Sequence, residues 1–178
     1  MINNLKKIVF SIWLIQVLLL QISKAQFINL QITIEPELSA TVEKNLNFGT
    51  LISGSGYQEI KLGDINMGVF SITALNTQNI YIDLEYPEAL ESSDPSIDAS
   101  IPLDLKLAYN NSGEDNPIES LLLENHYGFI PIHIENGKSI SEQATWQRLF
   151  LYVFGSITIN DIPNGVYEGN ITLLVEYD

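Results

Sequence analysis

The 178-residue sequence predicts an all-β protein that folds as an antiparallel β-sandwich. Apolar and polar residues alternate over many segments of the chain, which is typical of strands with one buried face. Gly, Asn, Asp and Pro residues stand between these segments, where turns are expected. Roughly ten short strands separated in this way indicate a sandwich.

Residues 1–25 are predicted to be a signal peptide. Lys6 and Lys7 precede an almost wholly apolar run over residues 8–22, and Ala25 provides the small residue before a cleavage point. The alternative is a membrane anchor, but a spanning helix needs roughly 20 apolar residues. We therefore expect a protein secreted to the periplasm or cell surface. Residues 26–178 would form a single β-sandwich domain with no membrane span.

Charge and cysteine content narrow the range of partners and chemistry. After removal of the signal peptide, 22 acidic residues face five basic ones, which gives a net charge of −17. Such a charge repels nucleic acid and anionic membrane surfaces, so neither is an expected partner. The sequence has no cysteine, which excludes disulfides, thiol nucleophiles and zinc–thiolate sites.

Alternation is clearest at the two ends of the exported chain. Apolar residues at alternate positions mark the first segment: Ile28, Leu30, Ile32 and Ile34. They suit either a first strand of the chain's own sandwich or a strand exchanged between subunits. At the other end, residues 167–177 alternate as one strand, and Asn164-Gly165 predicts a hairpin that pairs it with residues 157–159.

Further strands are predicted over the intervening sequence. Residues 148–154 are apolar on both faces, which indicates a central, buried strand or one that presents a face to a partner. Short helices are expected within 117–125 and 144–148, the second after a capping box, and an exposed loop at 88–100. The other strands are predicted at residues 45–51, 58–62, 68–74, 80–84, 103–108 and 130–134.

The sequence contains no recognisable catalytic or metal-binding pattern, so it predicts a protein that is not an enzyme and has no cofactor. His126 and His133 lack metal-binding spacing, and the Ser53–Gly56 stretch lacks the Lys of a phosphate-binding loop. Acidic residues cluster within 88–98 and 114–119 without the pattern of a calcium loop. Solvated loops explain them better, and calcium binding there stays an open alternative.

Two short motifs carry a family resemblance. The residues that form them are Leu46, Phe48 and Gly49 near the start, and Gly165, Tyr167, Gly169, Val175 and Tyr177 at the end. Together they resemble the secreted bacterial DUF4402-type domains and, more distantly, pilin and spore-coat-U-like fimbrial subunits. The resemblance implies an immunoglobulin-like sandwich at the cell envelope, which in fimbriae is completed by a neighbour's N-terminal strand. The missing disulfide departs from typical pilins.

Three functions follow as hypotheses. The first is a non-enzymatic structural or adhesive protein of the bacterial envelope, of the fimbrial subunit type, which contacts itself or other envelope proteins. The alternative is a secreted carbohydrate- or ligand-binding module that uses Trp146, Tyr127, Tyr57 or the acidic loops. The third, a hydrolase with paired carboxylates, is supported by no identifiable pair.

Overall fold

The computed structural model describes residues 38–132 and 146–178, and these residues form two antiparallel sheets. This confirms the predicted all-β fold. One turn of 3-10 helix, Pro117–Glu119, interrupts the strands of these ranges. The strands are β1 Ser39–Lys44, β2 Gly56–Ile60, β3 Gly68–Leu75, β4 Ile80–Glu85, β5 Ala89–Ser92, β6 Ser100–Asn110, β7 Leu121–Leu123, β8 Tyr127–Ile130, β9 Trp146–Ile159, β10 Tyr167–Glu168 and β11 Thr172–Tyr177.

The large sheet is organised around β9, its longest strand. Its order is β1-β3-β9-β6-β5-β10, with β2 also paired to β9 and β7 to β6. On one side, β9 pairs first with β3 and then, from Gly155 to Ile159, with β2. On its other side it pairs with β6 over eight residues. The predicted central strand is therefore confirmed.

The small sheet has the order β11-β4-β8. Its inner face shares one apolar core with the large sheet, because alternate residues of each strand point between the sheets. The arrangement is thus sandwich-like. The fully buried members of this core are Ile72, Ala74, Ile80, Ile82, Leu84, Ile130, Leu149, Leu151 and Val153.

The opposite face of the large sheet carries a second apolar cluster. Phe150, Tyr152 and Phe154 of β9 lie there, covered in part by Leu46 and Phe48. Both faces of β9 are therefore buried, which explains why its sequence shows no polar alternation.

The predicted strand at residues 45–51 is wrong. This stretch is irregular, although its apolar residues Leu46 and Phe48 do pack against the large sheet. The strand forms instead at β1, where all six residues are exposed. An exposed edge strand carries no buried face, so apolar alternation does not mark it.

The predicted C-terminal hairpin is also wrong. β9 does not pair with the last strand; β11 crosses to the small sheet and pairs with β4. The alternating stretch 167–177 is broken into β10 and β11 by residues 169–171. A Cβ at Gly169 would lie 2.8 Å from Pro87 Cγ, so the chain passes Pro87 closely at this break.

Smaller predictions differ as well. The expected helix within 117–125 reduces to the 3-10 turn, and the strand β7 follows it. The loop at 88–100 contains β5, and Trp146–Arg148 begin β9 rather than end a helix. The strand predicted at 130–134 is misplaced, because β8 spans Tyr127–Ile130 and residues 131–132 are irregular; residues 133–134 lie outside the described ranges. Residues 1–37 and 133–145 lie outside the described residues, and with them the predicted signal peptide, Ile28, Leu30, Ile32, Ile34 and His133.

Candidate functional site

A cavity of about 470 Å³ lies where the two family-like motifs meet. Its floor is formed by Ile101 of β6 and by Ile157 and Ile159 of β9, all buried. Two segments far apart in sequence, residues 47–53 and 162–167, form its walls. Both motifs are recognisable in the sequence, but no local pattern indicates that they line one cavity.

Hydrogen bonds hold the two wall segments together. Ser53 Oγ donates to Ile162 O at 2.7 Å and accepts from Ile162 N at 2.9 Å. Gly54 N donates to Asn160 O at 2.9 Å. Within the second wall segment, Tyr167 Oη donates to Pro163 O at 2.9 Å. The Ser53–Gly56 stretch therefore joins two loops, and Ser53 is fully engaged in that role.

The motif residues divide into two groups. Phe48, Gly49, Gly165 and Tyr167 line the cavity. Val175 and Tyr177 belong to β11 and pack against the core between the sheets. Most of the motif residues therefore either line the cavity or pack in the core.

The β11 edge, defined by the inward-facing Leu173, Val175 and Tyr177, is incompletely covered. These three side chains are half-buried, although they are paired with Leu84, Ile82 and Ile80 of β4, which are fully buried. Among the described residues β11 pairs only with β4. Within residues 38–132 and 146–178, the edge of β11 away from β4 therefore offers backbone groups to which a further strand can add.

Strand β1 lies near the same open side. It contacts β11, and its other neighbour within residues 38–132 and 146–178 is β3. Tyr177 Oη accepts a hydrogen bond from Leu75 N at 3.0 Å and so joins the end of β11 to β3. The edges of both sheets thus face the same side of the sandwich.

The structure does not bring the proposed carbohydrate-stacking residues together. Trp146 pairs with Leu75 at one end of β9, and Tyr57 pairs with Thr158 near the other end. Twelve residues of extended strand separate these positions by roughly 40 Å. Tyr127 lies on the other sheet, so the three aromatic residues do not form a single platform.

Tyr127 belongs instead to an aromatic surface that sequence analysis missed. The outer face of the small sheet points away from the core and is defined by Tyr81, Asp83, Tyr127, Phe129, Leu174 and Glu176. Tyr127, Phe129 and Leu174 are 48%, 45% and 52% exposed. The alternation of residues 80–84 indicates that Tyr81 and Asp83 face outward. It does not indicate which residues of neighbouring strands lie beside them.

The acidic groups named from sequence have local roles. Asp94 accepts hydrogen bonds from Ser96 N at 2.9 Å and Ser96 Oγ at 2.7 Å, and these bonds lower the pKa of its carboxyl. Asp115 accepts from the Tyr152 hydroxyl at 2.9 Å. No group of three His, Asp or Glu residues in the described ranges is arranged to hold a metal ion.

His126 is exposed in the turn before β8, where its ring meets the edges of Tyr86 and Tyr127. Its backbone oxygen accepts from Leu84 N at 2.8 Å, which holds this turn against β4.

The chain matches no protein-family model, and the comparison with curated proteins finds no match either. Within the part of the chain that the structure describes, no helix has the length and apolar character needed to cross a membrane.

Proposed function

We propose that this chain is an exported, non-enzymatic structural subunit of the bacterial envelope that associates with its own copies by strand addition at the β11 edge. The observation that carries the proposal is the incomplete burial of Leu173, Val175 and Tyr177, whose partners on β4 are completely buried. The same side of the molecule also carries the exposed strand β1.

An open strand edge leaves backbone groups unpaired and apolar side chains exposed, and strand addition would remedy both. Backbone N–H and C=O groups along β11 would pair with the incoming strand, and its apolar side chains would cover the half-exposed residues of the inner face. An added strand must therefore carry apolar residues at alternate positions.

The N-terminal segment fits that requirement. Ile28, Leu30, Ile32 and Ile34 alternate with the polar residues Asn29, Gln31, Thr33 and Glu35. Seven residues from Ile28 to Ile34 suit the six residues of β11 in length. The segment of one copy would pair with β11 of the next, with its four apolar residues toward the core.

The resemblance to DUF4402-type and fimbrial subunits supports the same function, as does the predicted signal peptide. An immunoglobulin-like strand arrangement and an adhesive role at the cell surface belong to the proposal. The absence of cysteine means that the subunit would rely on its apolar core rather than on a disulfide.

The test is the absolute mass of the exported protein, measured by size-exclusion chromatography with light scattering. The full chain is expected to form polymers, and deletion of residues 26–36 is expected to leave folded monomers. The double substitution Leu30→Asp/Ile32→Asp should abolish polymers, because it places charges against the core. Asn29→Asp/Gln31→Asp adds the same charge on the other face and should preserve them.

A stable monomer that unfolds when residues 26–36 are removed would show that the segment completes its own sandwich, and the proposal would be wrong. Equal loss of polymers in both double variants would attribute assembly to net charge. That outcome would also contradict assembly by strand addition.

A second candidate function, a small-ligand-binding module, is favoured by the cavity between the motifs. None of its 16 lining residues is charged, although the chain carries 22 acids. An apolar floor with polar groups at the rim suits a small, uncharged, largely apolar ligand.

Fluorescence of the neutral dye N-phenyl-1-naphthylamine tests this second function. Val166→Glu, at the cavity wall, should reduce dye binding, while Val42→Glu on β1 should not; both valines are exposed, at 66% and 54%. Identical dye binding by both variants would exclude the cavity as the site.

A further inference from the structure

The outer face of the small sheet combines exposed aromatic rings with carboxylates. Two rows of side chains cross the three strands: Leu174, Asp83 and Tyr127 form one row, and Glu176, Tyr81 and Phe129 form the other. Neighbouring strands lie about 4.8 Å apart, so each row spans roughly 10 Å and brings a carboxylate beside a ring.

These residues point outward because their neighbours point inward. Ile80, Ile82 and Leu84 alternate with Tyr81 and Asp83 along β4 and are buried in the core. The alternation along β4 therefore fixes which of its side chains face outward. The rings of Tyr127 and Phe129 are exposed and contribute nothing to that core, while Tyr81 and Asp83 on the central strand are half-buried. Exposed apolar groups that cluster in this way mark an interaction site.

The charge of the small sheet has one sign. Strands β4, β8 and β11 contain Asp83, Glu85 and Glu176 but no lysine or arginine. The basic residues of the described ranges all belong to strands of the large sheet or directly follow one: Lys44, Lys61, Lys106 and Arg148. The carboxylates of the outer face thus have no cationic neighbour within their own sheet.

We propose that the outer face of the small sheet binds a basic segment of another protein, one that carries arginine or lysine side chains. A guanidinium or ammonium group is attracted to the face of an aromatic ring, and a carboxylate beside the ring accepts its hydrogen bonds. Both rows offer this pair of groups. Arginine suits the site best, because its planar group can stack on a ring and bond a carboxylate together.

This surface is distinct from the β11 edge. The β11 edge is defined by side chains that point toward the core, whereas the outer face consists of side chains on the opposite side of the same sheet. Strand addition would extend the outer face without covering it, so the two proposals can fail independently. Binding to the outer face is electrostatic and is expected to weaken steeply as salt increases.

The test uses fluorescence anisotropy with a labelled, unstructured peptide of alternating arginine and glycine, titrated with the exported full chain at 50 and 500 mM NaCl. Asp83→Asn/Glu176→Gln should weaken binding by about tenfold at low salt, the effect of two exposed ion pairs beside rings. Phe129→Ala should weaken it too. The control Glu59→Gln/Asp98→Asn also removes two negative charges, but from residues outside the small sheet. It should bind the peptide nearly as tightly as the parent does.

Thermal unfolding of the two isosteric double variants verifies that each remains folded. Equal weakening by both double variants would reduce the effect to net charge and overturn the proposal, as would failure of the parent chain to bind. Salt-independent binding of an uncharged probe, cellohexaose, that is lost in Phe129→Ala would also overturn it, since the face would then recognise carbohydrate.

Discussion

Gly155 lies in β9 at the point where the strand changes partner from β3 to β2, with Leu105 of β6 on its other side. Its φ of +154° belongs to a region that other residues rarely adopt. A Cβ at this position would lie 2.9 Å from Leu105 Cα and closer still to the Asp104 carbonyl oxygen. The backbone of β6 therefore leaves space for glycine only.

We expect Gly155→Ala to destabilise the protein by at least about 3 kcal/mol, because an unfavourable φ and a clash with backbone act together. Urea unfolding measures this. Gly54→Ala is the control: its φ of +76° is also positive, but no atom lies within 4 Å of the added Cβ. It should lose only about 1 kcal/mol, and equal losses would show that crowding by β6 is unimportant.

Tyr152 carries a hydroxyl into the apolar cluster on the outer side of β9. The side chain is fully buried, and its Oη donates to Asp115 Oδ1 at 2.9 Å. Tyr152→Phe removes this bond and should lower the free energy of unfolding by about 1.5–3 kcal/mol, the range for a bond to a charged acceptor. Tyr57→Phe, on the exposed side of β2, should change it by less than about 0.5 kcal/mol.

Burial and the neighbouring Asp115 carboxylate raise the pKa of the Tyr152 phenol well above its usual value. Since the folded pKa is higher than the unfolded one, the stabilisation is complete below about pH 10 and is lost as the pH rises beyond it. Denaturant midpoints between pH 8 and 11 should fall more steeply for the parent than for Tyr152→Phe. Parallel profiles would contradict this role.

At the scale of elements, β9 holds the large sheet together because it pairs along both edges and is buried on both faces. Leu151 lies at the middle of its inner face with no exposed surface. Leu151→Ala should reduce the free energy of unfolding by about 2–5 kcal/mol through lost transfer energy and a residual cavity. Leu174→Ala, on the exposed face of β11, should cost less than about 1 kcal/mol, and a similar loss in both variants would disprove the assigned burial.

The elements that sequence predicts best are those whose burial pattern is regular. β3, β4 and β6 alternate or are apolar throughout, and β9 has no polar face, so each was located within a few residues. β1 was not predicted because an exposed edge strand shows no apolar alternation. Residues 45–51 were wrongly predicted as a strand because Leu46 and Phe48 pack against the large sheet although the backbone there is irregular. Pairing partners are a property of tertiary structure, which is why β11 was assigned to the wrong sheet.

For the candidate sites, too, the sequence identifies individual residues but not their neighbours in the fold. Phe48 and Tyr167 were singled out as motif residues, but sequence offers no signal that segments more than 100 residues apart line one cavity. Phe129 was missed because its aromatic neighbour Tyr81 lies on another strand. Local patterns identify residue types and faces, while the surface they form depends on strand order.

At the scale of the whole molecule, charge is both excessive and unevenly placed. The full chain carries 22 acids against eight basic residues, a net charge of −14. The small sheet has acids and no basic residue, whereas the basic residues of the described ranges accompany the large sheet. Compaction therefore brings like charges together, and this repulsion opposes folding.

Screening that repulsion should stabilise the fold. Raising NaCl from 20 to 300 mM shortens the range of electrostatic interaction to below about 10 Å, and we expect the melting temperature to rise by about 3 °C, or roughly 1 kcal/mol for a chain of this size. Sucrose at equal osmolality is the control for solvent effects that do not depend on charge. Differential scanning calorimetry at pH 7.5 measures both. A melting temperature that falls with NaCl would mean that favourable ion pairs outweigh the repulsion, and it would contradict the view that the acidic excess opposes folding.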